Sequence, residues 1–336
     1  MSEYKGIKGF SIQSLSADPA DPNIGQVWYN STSGSWKVTS VTTAGSWATG
    51  GNMGTARDGI GGAGTQTAAL AMSGATNPNT PSNLSEEYDG STWTAGGTMG
   101  TSRQRFAGFG TQTAGVGAGG YLVTGPPHDM NNTEEYDGST WTAGGNLGTA
   151  RYGQSGAGTL TAGLISAGGA SATASVSVAT EEYDGSTWTA GGNVATARRN
   201  LAGGGVQTAA VIFGGTASTG NTAVTEEYDG SAWTTSPGSL NTLRTQLGGC
   251  GTQTAALAFG GFIPPSTLSG ATEEYDGTSW TTLPGTLATA RDRATFGPVG
   301  TQSSALYFGG RTPAYTAATE EFTGAGATVT KTITVS

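Results

Sequence analysis

The chain is poor in the residue types that most often carry chemistry. Its 336 residues include one cysteine, Cys250, and one histidine, His128. One cysteine excludes a disulfide within the chain, and we expect it to be a small buried side chain. One histidine cannot form a metal site alone or a repeated Ser-His-Asp set. We expect His128 to lie exposed in a loop, with a functional role as the alternative, and we expect no metal or cofactor.

Charge and long apolar runs are also scarce. Charged residues make up 11% of the chain, the net charge is −9, and there is no basic run, which argues against nucleic-acid binding. No apolar stretch is long enough for a membrane span. The first residues, Met-Ser-Glu-Tyr-Lys, lack the apolar core of a secretion signal. These features predict a soluble protein that is made in a cytosol.

Glycine, in contrast, is abundant at 59 residues, and it belongs to a repeat. The repeat combines Glu-Glu-Tyr-Asp-Gly, a tryptophan, an arginine and a Gly-Thr-Gln-Thr turn, or close variants of these, with a period of 45 to 48 residues. Such a period, rich in glycine and aromatics, is typical of a β-propeller, a scaffold that hosts many functions. The repeated tryptophans are Trp47, Trp93, Trp141, Trp188, Trp233 and Trp280.

The unit over 198–241 shows the expected strands. Residues 201–206 form a glycine-rich first strand and 209–213 an apolar second strand. A third strand begins at Glu226, and Asp229-Gly230 is a hairpin signal before the fourth strand at Trp233. We therefore predict an all-β fold, a six-bladed β-propeller of four-stranded antiparallel blades over 44–336, behind a short N-terminal β-hairpin module over 1–43.

The two ends of the repeat leave its closure open. Trp47 has no Glu-Glu-Tyr before it, and the pair at Glu320 has no tryptophan after it. We predict that the strands at Trp47 and Glu320 share one blade, closed by the N- and C-terminal strands without a free edge. The alternative is that residues 327–335 supply the outer strand and Trp47 lies on a separate element.

The repeat resembles kelch repeats at Gly214-Gly215, Tyr228, Trp233 and Arg244. The resemblance implies a kelch-like propeller. Tyrosine and tryptophan are five residues apart here rather than about seven, so the hairpin is tighter. Copper chemistry of the galactose-oxidase type needs several histidines and a Cys–Tyr link, and this composition lacks them.

The first forty residues contain a different motif. Residues 25–34 read Gly-Gln-Val-Trp-Tyr-Asn-Ser-Thr-Ser-Gly, which resembles a small module in virion structural proteins of marine tailed phages. Those proteins join it to repeats similar to these. The resemblance implies a component of a phage particle, with 1–43 attached to other virion proteins. Trp28, Tyr29 and Trp36 are the candidate contacts in this module.

Paired glutamates are candidates for general acid–base chemistry, but a structural role fits them better. A sixfold copy of a catalytic group is improbable, and alternation sends the two side chains of a pair to opposite faces. We expect one glutamate of each pair to meet a repeated arginine, and we predict no catalytic residue. The pairs begin at Glu86, Glu134, Glu181, Glu226, Glu273 and Glu320, and the arginines are Arg57, Arg103, Arg151, Arg198, Arg244 and Arg291.

Two further patterns bear on ligands. Asp-Gly-Ser-Thr-Trp is similar to the sialidase Asp-box, imperfectly and without a recognisable catalytic set, and the box itself is structural. The repeated tryptophans suit packing between blades, with carbohydrate stacking as the alternative.

The connections between the second and third strands differ in length and sequence from one repeat to the next, whereas the repeated strands hardly change. This pattern indicates a recognition rim, and sequence drift after duplication is the alternative. The connections span 75–85, 121–133, 170–180, 216–225, 262–272 and 311–319. The candidate contacts there are Tyr121, Leu122, His128, Phe262 and Ile263.

The hypothesis that follows is a non-enzymatic structural protein of the virion, in the tail, a fibre or a capsid decoration, made in the host cytoplasm. Its propeller would contact other virion proteins or the host surface. One alternative is a protein that binds a host receptor or glycan. The other, from a different class, is a glycan-active enzyme.

Overall fold

A computed structural model describes residues 13–19, 24–41, 44–78, 80–122, 128–171, 173, 175–326 and 328–333. Every regular element assigned to these residues is a β-strand, which confirms the prediction of an all-β fold. Contacts divide the chain into unit 1, Met1–Gly45 with Gly324–Ser336, and unit 2, Ser46–Thr323. Residues 1–12, 20–23, 42 and 43 of the predicted N-terminal module lie outside the described residues.

Unit 1 contains one four-stranded sheet. Its strands, in order across the sheet, are Gln13–Leu15, Val27–Asn30, Ser35–Val41 and Thr328–Ile333. The first pair is parallel and the other two pairs are antiparallel. The hairpin between the second and third strands is the one expected from the sequence. The fourth strand was expected with the repeats, but it pairs with Ser35–Val41 instead.

Unit 2 contains six antiparallel four-stranded arrays, which we name sheets I to VI. In order from first to fourth strand they are Ile60–Thr65, Ala68–Met72, Ser85–Tyr88 and Trp93–Ala95 (I); Ala107–Thr111, Ala114–Ala118, Thr133–Tyr136 and Trp141–Ala143 (II); Ser155–Thr159, Ala162–Ser166, Thr180–Tyr183 and Trp188–Ala190 (III); Ala202–Val206, Ala209–Phe213, Thr225–Tyr228 and Trp233–Thr235 (IV); Gly248–Thr252, Ala255–Phe259, Thr272–Tyr275 and Trp280–Thr282 (V); Gly300–Thr301, Ser304–Phe308, Thr319–Thr323 and Ser46–Thr49 (VI).

Shorter strands accompany these sheets. Thr295–Phe296 runs parallel to the first strand of sheet I. The others form small pairings: Ala75–Asn77 with Thr80–Pro81, Gly169–Ala170 with Ser175–Val176, Arg198–Arg199 with Thr216–Ala217 and Gly220–Asn221, and Phe262–Ile263 with Thr267–Leu268.

The core of unit 2 lies between neighbouring sheets. One cluster joins Leu164 of sheet III to Ile212 and Tyr228 of sheet IV. The first strands are glycine-rich because the next sheet comes close. A Cβ on Gly249 would lie 2.5 Å from the Phe213 ring, so a larger residue there would require a shift of the sheets.

Sheet VI combines the two ends of unit 2. Its third strand pairs with Ser46–Thr49, with Phe322 opposite Trp47 and Glu320 opposite Thr49. This is the expected pairing of the Trp47 strand with the Glu320 strand. The alternative, in which the C-terminal strand is the outer strand, does not hold because that strand lies in the sheet of unit 1.

Hydrogen bonds join each sheet of unit 2 to the preceding one. The indole N–H of each repeated tryptophan donates to a hydroxyl at the start of the third strand in the sheet before it. The pairs are Trp93–Thr319, Trp141–Ser85, Trp188–Thr133, Trp233–Thr180, Trp280–Thr225 and Trp47–Thr272, at 2.8 to 3.0 Å. Sheet I therefore donates to sheet VI, just as sheet II donates to sheet I.

Candidate functional site

The repeated arginines connect to the third strand of their own sheet. Arg198 Nη2 donates to Glu226 Oε1 at 2.9 Å, and its Nη1 donates to the Val224 carbonyl at 2.6 Å. Glu226 Oε2 accepts the Ala195 N–H at 2.6 Å, and both charged side chains have zero exposure. The equivalent pairs are Arg57–Glu86, Arg103–Glu134, Arg151–Glu181, Arg244–Glu273 and Arg291–Glu320. The first glutamate of every pair thus has the structural role expected for one of the two.

The second glutamate of a pair contacts the next sheet, because alternation turns it to the other face. Tyr228 of sheet IV donates its hydroxyl to Glu182 Oε1 of sheet III at 2.5 Å. Burial and this bond to a carboxylate raise the pKa of Tyr228 to about 12. Four other pairs share the arrangement: Tyr88–Glu321, Tyr136–Glu87, Tyr183–Glu135 and Tyr275–Glu227.

The sixth tyrosine position is Phe322, which has no hydroxyl. The carboxylate of Glu274, at the position of its partner, makes no hydrogen bond within the described residues, and burial raises the pKa of that carboxyl. Leu283 occupies the position that is glycine in four other repeats. A Cβ on the equivalent Gly96 would lie 2.9 Å from the Tyr136 hydroxyl oxygen. Leu283 fits at this position because Phe322 has no hydroxyl for the leucine side chain to crowd.

The aspartate after each tyrosine organises the hairpin. Asp89 Oδ1 accepts the N–H groups of Ser91 and Thr92 at 2.8 and 2.7 Å, and both hydroxyls donate to the same carboxylate. The Thr92 backbone bond, followed by the Ser91 hydroxyl bond, lowers the pKa of Asp89 well below its usual range. The carboxylate is therefore a turn acceptor. Equivalent turns contain Asp137, Asp184, Asp229 and Asp276.

The repeated tryptophans pack between sheets. The Trp280 ring meets the edge of Phe213 at 4.7 Å between centroids, and Trp93 meets Phe308 at 4.8 Å. Their indole N–H groups form the bonds between sheets described above. This placement favours packing over carbohydrate stacking.

In unit 1 the three candidate contacts differ in exposure. Trp28 is fully buried, and its Nε1 donates to Asp18 Oδ1 at 2.9 Å, so its ring is a core group and not a contact surface. Trp36 is 37% exposed and lies 5.4 Å from the half-buried Tyr29 ring, between centroids. The predicted contact role therefore fits Trp36 and Tyr29 but not Trp28.

Trp36 belongs to an exposed apolar side of the unit 1 sheet. Tyr29 and Ile333 lie opposite it on the two flanking strands, and Val27 lies two residues from Tyr29 on the same side. Val27 is 37% exposed and Ile333 is 39% exposed. We call these four residues the unit 1 apolar face.

The candidate rim contacts of unit 2 are all half-buried. Tyr121 stacks on His128 with 5.8 Å between ring centroids. The Leu122 N–H donates to the His128 carbonyl at 2.7 Å, and His128 Nδ1 lies 3.1 Å from the Leu122 carbonyl. His128 is thus packed against its own loop rather than freely exposed. Phe262 and Ile263 form a short strand paired with Thr267–Leu268.

Six backbone positions, one before each sheet, form a cycle of hydrogen bonds. Each residue is in the left-handed region and donates its N–H to the carbonyl of the residue in the preceding repeat, at 2.6 to 3.0 Å. Gly59 donates to Arg293, which completes the cycle. The six are Gly59, Arg105, Gly153, Asn200, Gln246 and Arg293. We call them the polar cycle.

A pocket of about 370 Å3 lies beside the polar cycle. It is bounded by the start of three variable connections and by residues that precede the first strands. Two arginines and two tyrosines are the charged and aromatic residues of its lining. The lining residues are Pro78, Gln104, Arg105, Tyr121, Tyr152, Ser171 and Arg199.

Carboxylates lie close to the polar cycle at Asp58 and Asp292. Arg293 Nη1 lies 3.9 Å from Asp58 Oδ2, and its Nε lies 3.7 Å from Asp292 Oδ2 and donates to Gln246 Oε1. Burial raises the pKa of Asp58 to about 6, against the opposing charges of Arg105 and Arg293. Arg293 is therefore engaged by neighbours.

Sequence reasoning missed this pocket. The one signal available was that Arg105 and Arg199, like Arg293 and Arg311, fall outside the register of the six structural arginines. Their burial and common location depend on how successive repeats face each other, which the period alone does not give.

The chain has no match among protein-family models and none among curated proteins. Within the described ranges, no three histidine, cysteine, aspartate or glutamate side chains are grouped as a metal site. None of the described residues forms a helix that is long and apolar enough to cross a membrane.

Proposed function

We propose that sheets I to VI are the blades of a six-bladed, kelch-like propeller. Three observations support this arrangement: the polar cycle returns to its starting residue, the tryptophan bonds run from each sheet to the preceding one, and sheet VI joins both ends of unit 2. In such a ring every sheet is covered on both sides by its neighbours, which leaves few sheet edges open.

We propose further that the protein is a non-enzymatic structural component of a tailed-phage particle, in the tail, a fibre or a capsid decoration. The resemblance of 25–34 and of the repeats to phage virion proteins is the starting point. The observation that carries the proposal is the unit 1 apolar face, since exposed apolar side chains grouped on one sheet side are typical of a protein contact.

The structural roles of the repeated charged residues agree with a scaffold. The first glutamate of each pair meets an arginine, and five of the second glutamates accept a tyrosine hydroxyl. These bonds hold the carboxylates in place within unit 2. The sixfold glutamates are therefore better explained by architecture than by catalysis.

Quantitative mass spectrometry of purified particles from the encoding virus tests the virion proposal. We expect many copies per particle for a capsid decoration, and a few to a few dozen for a tail or fibre protein. Absence from the particle would overturn it.

The docking step has its own test in particles assembled with variant chains. Trp36→Ser combined with Ile333→Thr should reduce the incorporated copies strongly. Leu243→Ser, which changes an apolar residue of unit 2 that is 42% exposed, is the matched control and should leave incorporation unchanged. Equal incorporation of all three chains would exclude the unit 1 apolar face as the docking surface.

The pocket beside the polar cycle favours a second candidate function, recognition of a host receptor or glycan. The variable connections bound this pocket, and loops on a rigid scaffold commonly carry recognition. Glycan-array binding without hydrolysis would support this candidate. Hydrolysis would instead support a glycan-active enzyme, and no binding to host surfaces would remove both.

A further inference from the structure

We propose that the pocket formed by Arg105, Arg199, Tyr121 and Tyr152 binds a small organic molecule through one carboxylate or phosphate group. This inference goes beyond the proposed virion role and does not depend on it. Its basis is Arg199, the one arginine with two buried hydrogen-bond donors that have no partner among the described residues, together with a further such donor on Arg105.

Three donor nitrogens of these two arginines are buried and have no partner among the residues that the structure describes. Arg105 Nε, and both Nε and Nη1 of Arg199, have no hydrogen-bond partner within the described part of the chain. A buried donor without a partner destabilises the folded chain, and more so when it is charged. An oxyanion that accepts bonds from both guanidinium groups would remove this cost.

The arginines are held in place by contacts along their stems. Arg199 lies over the Tyr152 ring, with Cζ 5.6 Å from its centroid, and a Cβ on Gly169 would come within 3.0 Å of Arg199 Cδ. A Cβ on Gly59 would lie 3.2 Å from Arg105 Cγ. Glycine at both positions therefore makes room for the arginine stems. A guanidinium fixed in this way loses little side-chain entropy when it binds.

The rest of the lining suits an organic anion. The Tyr121 and Tyr152 rings lie 5.6 Å apart between centroids, and the Ser171 hydroxyl is buried without a partner. The Ser171 N–H is held by Asp129 Oδ2 at 2.7 Å, so one carboxylate lies next to the pocket. Asp58 and Asp292 also lie near enough to Arg105 for their charges to interact with it. The volume of about 370 Å3 is at the small end for ligand sites and fits a monosaccharide.

Arg293 provides the contrast. It occupies the same left-handed position of the polar cycle as Arg105, with φ of 54° for both. Its guanidinium contacts Gln246 and faces Asp58 and Asp292. The same residue type at the same backbone position is engaged in one case and unpaired in the other, so the anion preference belongs to the pocket.

Calorimetric titration of the full chain with glucuronate, glucose 6-phosphate, glucose and inorganic phosphate tests the inference. We expect saturable binding of at least one anion and about tenfold weaker binding of glucose, because one charged hydrogen-bond set is lost. Binding of glucuronate alone identifies a carboxylate as the ligand group. Binding of either phosphate compound without glucuronate identifies a phosphate. No saturable binding of any anion would overturn the inference.

The variants use side chains that other repeats already carry. Arg105→Gln introduces the residue found at position 246 of the polar cycle, and Arg199→Thr introduces the residue at the equivalent position 245. Each should fold and should weaken anion binding by about tenfold or more. Arg293→Gln removes the same charge outside the pocket and should change affinity less than about threefold. Equal effects of all three variants, or none for the first two, would refute a local site.

Discussion

Replacing Arg198 with alanine tests how much a buried arginine–glutamate pair contributes to unit 2. The substitution removes the donors to Glu226 Oε1, which remains buried, and to the Val224 carbonyl, which is partly buried. Loss of one partner from a buried pair costs about 3–5 kcal/mol, because the remaining charge has no compensation. We expect the free energy of unfolding to fall by that amount.

The size of unit 2 converts this loss to a temperature. An unfolding entropy of about 2.1 cal/mol/K per residue gives about 0.6 kcal/mol/K for Ser46–Thr323. The expected decrease in melting temperature is therefore about 5–8 °C, measured by circular dichroism at neutral pH. Arg198→Lys should lower the melting temperature by an intermediate amount, because an ammonium group keeps the charge but lacks the planar set of donors of the guanidinium.

Arg311→Ala is the control for this experiment. Arg311 is half-buried, with Cζ 5.5 Å from the Tyr315 ring centroid, and it has no carboxylate within ion-pair distance among the described residues. We expect a loss below about 1 kcal/mol. If Arg198→Ala lowers the melting temperature no more than Arg311→Ala, the buried pair is not a main source of stability and the reasoning above is wrong.

Two further perturbations follow from the structure. Phe322→Tyr alone should destabilise unit 2 by about 1–3 kcal/mol, because Leu283 crowds the new hydroxyl. Adding Leu283→Gly should recover at least that loss, because the hydroxyl can then donate to Glu274. Additive shifts of the melting temperature in the double-mutant cycle would contradict this coupling. Burial raises the pKa of Asp58 to about 6, so the folded protein binds this proton more tightly than the unfolded chain, and stability falls as pH rises from about 4 to 6. Asp58→Asn should reduce this pH-dependent loss of stability by up to about 3 kcal/mol, measured as the free energy of unfolding in urea at several pH values. An unchanged dependence of stability on pH would show that the Asp58 carboxyl is solvated.

The repeated strands could be predicted from the sequence because their signals are local. The second strand expected over 209–213 is observed as Ala209–Phe213, and the third strand expected at Glu226 is observed as Thr225–Tyr228. An apolar run, a glycine turn and Asp-Gly lie within a few residues of the strands they delimit. Six copies of the same signals reinforce each assignment.

Other features depend on distant contacts. Thr328–Ile333 alternates like any exposed strand, and nothing in it identifies Ser35–Val41 as its partner. Trp28 is predicted to be a contact residue of the N-terminal module, yet its pairing in a hairpin turns it to the buried side of its sheet. The pocket arginines are a further example, because the repeat period predicts the strands but not which residues outside the repeat pattern come together around a pocket.

The composition of sheet VI has a consequence for the order of events during synthesis. Its outer strand, Ser46–Thr49, leaves the ribosome before almost all of unit 2, and its partner Thr319–Thr323 leaves last. At ordinary translation speed the first strand waits on the order of tens of seconds for the second. During this interval the growing chain has exposed strand edges that neighbouring nascent chains could pair with. Truncated products would keep those edges permanently, so aggregation should mark incomplete chains and distinguish them from finished ones.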